Sequence, residues 1–179
     1  MMKRLLLLTL WPAAALAECP PDPAQEQALS AVVSRFAKAP NRNVALDLHN
    51  RMWSVLTDAP DQIAQDYLDA GMERFRMGDF PAALKAFDAL TDYCPEYAEG
   101  YNQRAIIRFV QEDYEAALPD IDRALALTPQ HLGAMTGKAM TLIALGREAE
   151  AQDILKQALD LNPWLPERAL LKEPQGEEL

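Results

Sequence analysis

Pro95, Pro129 and Pro163 stand 34 residues apart. Four further columns keep the same step: Gly71, Ala105 and Ala139; Ala83, Ala117 and Ala151; Phe87, Ile121 and Leu155; Leu90, Ala124 and Ala158. Five columns in register over three copies are not a chance event. A period of this size marks a repeat architecture, in which one supersecondary unit cannot bury its own apolar face and must stack on copies of itself. The units run 64–97, 98–131 and 132–163, within a repeat region 59–163.

Each unit contains two stretches with helical spacing. In the first unit they are Tyr67, Ala70, Gly71 and Arg74, then Ala83, Leu84, Phe87 and Leu90. The turn between them reads MGDF, QEDY and LGRE in the three units, and Asp79 and Asp113 are placed to cap the second helix. The closing proline ends that helix. Gly71, Ala105 and Ala139 on the first helix, and Ala83, Ala117 and Ala151 on the second, let two antiparallel helices approach closely, with bulkier flanking residues filling the gap. Alanine and leucine dominate while β-branched residues are few, which favours helix throughout. Arg104 and Asp120 fall on facing helices of the second unit, where an ion pair sets their register. Pro119 lies inside a helix and is expected to bend or weaken it.

The units resemble tetratricopeptide repeats, whose period is also 34 residues. Tyr67, Gly71, Phe80, Ala83, Phe87 and Pro95 match in the first repeat; Tyr101, Ala105, Tyr114, Ala117, Ala124 and Pro129 match in the second. The third is looser, with Ala139, Gly146, Ala151, Ala158 and Pro163, and with Met135 and Glu148 in place of aromatics. The resemblance implies an all-α fold: an α-solenoid of three helical hairpins, with an N-terminal helical hairpin and a short C-terminal cap. It also implies that the first helices line a groove. The stripe there is Leu68, Met72 and Phe75, then Asn102, Ile106 and Phe109, then Thr136, Met140 and Ile143, with Asn102 and Gln103 as polar points. Flexible methionine and flat phenylalanine suit a peptide-holding groove; the alternative is that these residues only pack one first helix on the next. Repeat proteins that clamp a C-terminal carboxylate use Lys, Arg and Asn here, but the corresponding places hold Leu68, Met72, Gln103, Gly133 and Gly137. The whole chain, including HNRMWSVLTDAP before the repeats, resembles short exported repeat proteins of alphaproteobacteria.

Outside the repeats, residues 1–17 read as a signal peptide: Lys3 and Arg4, a short apolar run, then Ala15-Leu16-Ala17. A lipid anchor at Cys19 needs a small residue before it, and Glu18 is not small. Residues 18–58 read as a helical hairpin, Ala24–Lys38 and Val44–Thr57, with APNRN as the turn. It either caps the open end of the stack or docks a partner through Trp53. Residues 164–179 read as a cap, with Trp164, Leu165, Leu170 and Leu171 covering the last repeat and EPQGEEL as a disordered tail.

The formal charge is −10, or −12 without Lys3 and Arg4. So acidic a chain repels phosphate backbones and anionic lipid, so neither nucleic acid nor membrane insertion of the mature chain is expected. Cys19 and Cys94 are an even pair in an exported chain and are expected to form a disulfide; two reduced thiols are the alternative. The sequence holds no metalloprotease, nucleophile-elbow, phosphate-loop or calcium-loop motif, and no metal or other cofactor is expected. Of the two histidines, His49 and His131, the second falls in the turn between repeats two and three and is expected to be solvated. The sequence therefore points to an exported, periplasmic, non-catalytic scaffold or assembly factor that binds another protein or peptide. An accessory subunit docking through its convex face and terminal caps is the alternative.

Overall fold

The computed structural model describes residues 19–20 and 22–172. The expected signal peptide and the EPQGEEL tail lie outside the described residues. Eight α-helices follow one another among the described residues: α1 Pro23–Val33, α2 Arg42–Leu56, α3 Gln62–Arg76, α4 Phe80–Tyr93, α5 Ala98–Val110, α6 Tyr114–Leu127, α7 Leu132–Ala144 and α8 Glu148–Leu161. Short 3-10 turns occupy Phe36–Lys38 and Pro166–Leu170. No strand occurs among the described residues. The hairpins α3–α4, α5–α6 and α7–α8 are the three sequence units, stacked in chain order through α4 on α5 and α6 on α7.

One turn is built three times. Gly78, Glu112 and Gly146 have φ of 76°, 63° and 73°, the left-handed region. The following N–H reaches back to the carbonyl five residues earlier: Asp79 to Arg74 at 2.9 Å, Asp113 to Arg108 at 2.9 Å, Arg147 to Leu142 at 2.8 Å. This is the glycine-type helix stop, and it satisfies carbonyls left open at the helix end. Asp79 and Asp113 then accept from Ala82 and Ala116 N–H, so each ends one helix and caps the next. Arg147 has no such side chain and leaves α8 without a side-chain cap. Glu112 is strained where its two counterparts are glycine. Glu112→Gly is expected to stabilise the protein by up to about 1 kcal/mol, read as a higher urea midpoint at unchanged slope.

Packing within a hairpin explains the small residues. A Cβ on Gly71 would lie 2.4 Å from Cε1 of Phe87, whose ring is fully buried. Where the first helix carries alanine, at Ala105 and Ala139, the residue in the Phe87 column is the smaller Ile121 or Leu155. The two columns trade volume at constant total, as a close-packed interior requires. Pro119 does not interrupt α6, which has 14 residues like α4 and α8. The proline is exposed, so the carbonyl that it leaves without a donor faces water.

The N-terminal hairpin does not cap the open end of the stack. Leu29, Val33 and Phe36, with Ala45, Leu48, Met52 and Leu56 of α2, share one core with Leu132 and Met135 of α7, Ala158 of α8 and Leu165. Among the described residues before α3, the first repeat's core takes up only Cys19 and Ala59. The hairpin is thus a strap along the proline-turn end of the stack, from the third repeat back to the first. There the Tyr97 hydroxyl donates to the Leu56 carbonyl at 2.6 Å, and the Gln25 amide donates to the Val55 and Asp58 carbonyls. Burial foremost, with Glu99, Asp58 and Asp69 nearby, pushes the Tyr97 phenol well above its ordinary pKa. The exposed surface of α3 carries Gln62, Asp66, Glu73 and Arg74, with Ile63 and Tyr67 left uncovered among them. The third repeat instead offers Leu132, Met135 and Ala158, and the strap covers them.

Cys19 and Cys94 form a disulfide with Cα atoms 4.9 Å apart, which fastens the start of the strap to the end of α4. The C-terminal turn lies along α8, held by Gln152 to the Leu170 carbonyl and to the Lys172 N–H. Leu165 is buried, whereas Trp164 and Leu170 remain exposed and cover nothing completely.

Candidate functional site

The first helices α3, α5 and α7 lie side by side. Met72 and Phe75, Ile106 and Phe109, Met140 and Ile143 are half-buried at equivalent positions of three successive repeats. Each of the first two phenylalanines leans on the aromatic that opens the second helix: Phe75 on Phe80 with centroids 5.9 Å apart, Phe109 on Tyr114 at 5.3 Å. These pairs fix the ring planes and leave part of each ring open. A hollow of about 90 Å³ lies between α5 and α7, lined by Asn102, Ile106, Phe109, Gly137 and Met140. A Cβ on Gly137 would meet nothing within 4 Å, so the glycine widens this hollow.

The rest of the expected stripe is buried, and of it Asn102 alone borders that hollow among the described residues. Leu68 is fully buried in the core of the first repeat with Phe87 and Ile107. Thr136 is buried and donates to the Gly133 carbonyl at 3.2 Å. Asn102 and Gln103, expected as polar contact points, are buried and donate to Glu99.

Glu99 is the centre of a buried polar cluster that the sequence reading overlooked. One carboxylate oxygen lies 2.8 Å from His131 Nε2; the other accepts from the Gln103 amide, and both accept from Asn102 at 3.2–3.3 Å. His131 is 1 % exposed, not solvated. Its Nδ1 accepts from the Ala134 N–H at 3.2 Å and so caps α7. An accepting Nδ1 puts the proton on Nε2, so a neutral His131 donates to Glu99. Three side-chain donors thus hold one carboxylate without any cation. The signal for this burial was in the period: Tyr97, His131 and Leu165 are 34 apart and all buried, the turn column that faces the strap.

A second network sits between repeats. Arg104 grips Asp120 through Nε at 2.8 Å and Nη2 at 2.5 Å, as its position on the facing helix implied. It also reaches back to Asp88 at 2.8 Å and Thr91 at 3.0 Å on α4, while Arg108 joins Asp120 at 2.6 Å and the Ala116 carbonyl at 2.8 Å. The hydrogen bonds from Asp120 foremost raise the Arg104 pKa above that of a free guanidinium, against the desolvation that lowers it. The network ties α4, α5 and α6 together and fixes register between the first two repeats.

No group of three or more histidine, cysteine or acidic side chains that could hold a metal ion occurs among the described residues. No helix among them is long and apolar enough to cross a membrane.

Two sequence models of the tetratricopeptide repeat match residues 68–131 and 109–172. No curated protein matches the chain. Among solved structures, the chain is similar to the TPR2B domain of yeast Sti1 in its complex with pHsp70, at 29% identity and a TM-score of 0.55 over 56% of this chain and 81% of that one. It is also similar to the first repeat domain of Spaghetti (RPAP3) bound to the HSP90 peptide SRMEEVD, at 23% identity and a TM-score of 0.59 over 61% and 86%. A third similar structure is MamA, at 18% identity and a TM-score of 0.53 over 78% and 80%.

Proposed function

We propose that this chain, which carries tetratricopeptide repeats through residues 68–172, is a non-catalytic scaffold or assembly factor that holds a protein or peptide partner on the face of its first helices. The observation that carries this reading is the stripe Met72, Phe75, Ile106, Phe109, Met140 and Ile143, open to solvent in part and repeated at one register in every repeat. Single apolar residues on a surface need no explanation, but a periodic, contiguous stripe of them does. That the Sti1 and RPAP3 structures hold Hsp70 and HSP90 peptides supports the class of ligand. The kind of segment differs here. The clamp places hold Leu68, Met72, Gln103, Gly133 and Gly137, and the buried Glu99 carboxylate lies nearby on α5. The clamp places themselves supply no cationic side chain to an acidic tail, whereas an apolar segment finds methionine and phenylalanine.

The scaffold acts in the periplasm of the exporting cell in this proposal. The Cys19–Cys94 disulfide supports an oxidising compartment, and the leader-like residues 1–17 support export.

A second reading has its own observation. Leu46 is 57 % exposed and Trp53 39 % exposed on α2, so the strap itself presents apolar side chains to an accessory contact. One pull-down series from the native host separates the two. Phe75→Asp with Phe109→Asp is expected to lower partner affinity about 100-fold or more at unchanged helicity. Leu46→Asp with Trp53→Asp should leave it within about threefold. The reverse pattern transfers the function to the strap, and capture undiminished in both removes the groove reading.

A further inference from the structure

A cavity of about 390 Å³ lies at the proline-turn end of the third repeat, between α2, the start of α7 and the C-terminal turn. This is within the size range of small-molecule sites. Its charges come from two different elements. Arg42 and His49 project from one face of α2, seven residues apart and so two helical turns along. Glu167 enters from the 3-10 turn, and its Oε2 is buried yet accepts no hydrogen bond among the described residues. Arg42 makes no ion pair with it there. That oxygen is closed off from any water-sized group, so the cavity meets the rest of the Glu167 side chain. Leu46 and the 37 % exposed ring of Trp164 supply apolar wall, and Gly133, with no side chain, leaves the space open. The cavity lies one turn of α7 from Met140, next to the half-buried stripe, and its test reads a small ligand rather than the protein partner.

We infer that this cavity binds a small zwitterion of the amino-acid class, its ammonium on Glu167 and its carboxylate on Arg42, with an aliphatic or aromatic side chain against Leu46 and Trp164. A simple cation would meet Arg42 as a like charge, and a simple anion would meet Glu167; only a ligand carrying both signs complements both.

The test titrates the full chain with L-leucine, leucinamide and N-acetyl-leucine, following the Trp164 indole N–H and the Gly133 amide by NMR. Leucine is expected to give saturable shifts. Leucinamide, which lacks the carboxylate, and N-acetyl-leucine, which lacks the ammonium, are each expected to bind at least tenfold more weakly. Glu167→Gln should bring leucine down to the level of N-acetyl-leucine, and Arg42→Gln to that of leucinamide. Gly133→Leu, which fills the cavity from an exposed helical position, should abolish the shifts while the rest of the spectrum is retained. No saturable shift with leucine overturns the inference. So does leucinamide or N-acetyl-leucine equalling leucine on the unaltered chain, or binding that persists in Gly133→Leu.

Discussion

Alanine at Glu99 is expected to destabilise the protein by about 3 kcal/mol or more, because it leaves buried donors without their acceptor. The carboxylate is the common acceptor for His131 Nε2–H and the amides of Gln103 and Asn102, all of them buried. Removing it strands several donors at once, each at about 1–3 kcal/mol unless water enters. The damage would spread through His131, whose ring is oriented by Glu99 and whose Nδ1 caps α7. Glu99→Gln keeps the shape and one accepting oxygen, and should cost clearly less. Urea unfolding of Glu99→Ala, His131→Ala and the double variant measures the coupling directly. If Glu99→Ala lies within about 0.5 kcal/mol of the parent, or if the two single losses simply add, the cluster does not act as a unit.

That cluster also shows where sequence reading stops. The hairpins, their turns, the aspartate caps and the Arg104–Asp120 pair were all legible because each is local or repeats at a fixed step. Gly71 announced its own close contact. The strap was not legible, because nothing periodic links α2 to the third repeat. Its buried residues Ala45, Leu48, Met52 and Leu56 name a face but not a partner. Once α2 is laid along the proline turns, Tyr97, His131 and Leu165 become interior, and residues that read as loop become core. Asn102 and Gln103 changed meaning for the same reason. They sit in the stripe by spacing, yet a buried carboxylate one helical turn earlier had already claimed their donors. Of the expected groove, the outer positions Met72, Phe75, Ile106, Phe109, Met140 and Ile143 keep exposed surface, because they lie on the turns of α3, α5 and α7 farthest from the strap.

Breaking the disulfide is expected to remove roughly 4 kcal/mol, the chain-entropy value for a sequence separation of 75 residues. The more telling result is where the loss appears. The strap is held covalently at both ends beside the first repeat, through Cys19 to Cys94 and through the chain from Thr57 into α3. Its apolar face, however, packs on Leu132, Met135, Ala158 and Leu165 of the third. Freeing the tether lengthens the loop that α1 and α2 must close, so the distant contacts lose occupancy first. Cys19→Ser is the cleaner variant, since it leaves the fully buried Cys94 in place in the first-repeat core. Hydrogen exchange should then show α1, α2 and the first turn of α7 losing protection while α4, next to the severed bond, keeps most of its own. Loss centred on α4 would mean that the disulfide secures only the first hairpin. A change below about 1 kcal/mol with the strap still protected would mean that the apolar contacts with α7 and α8 hold it without a covalent tie.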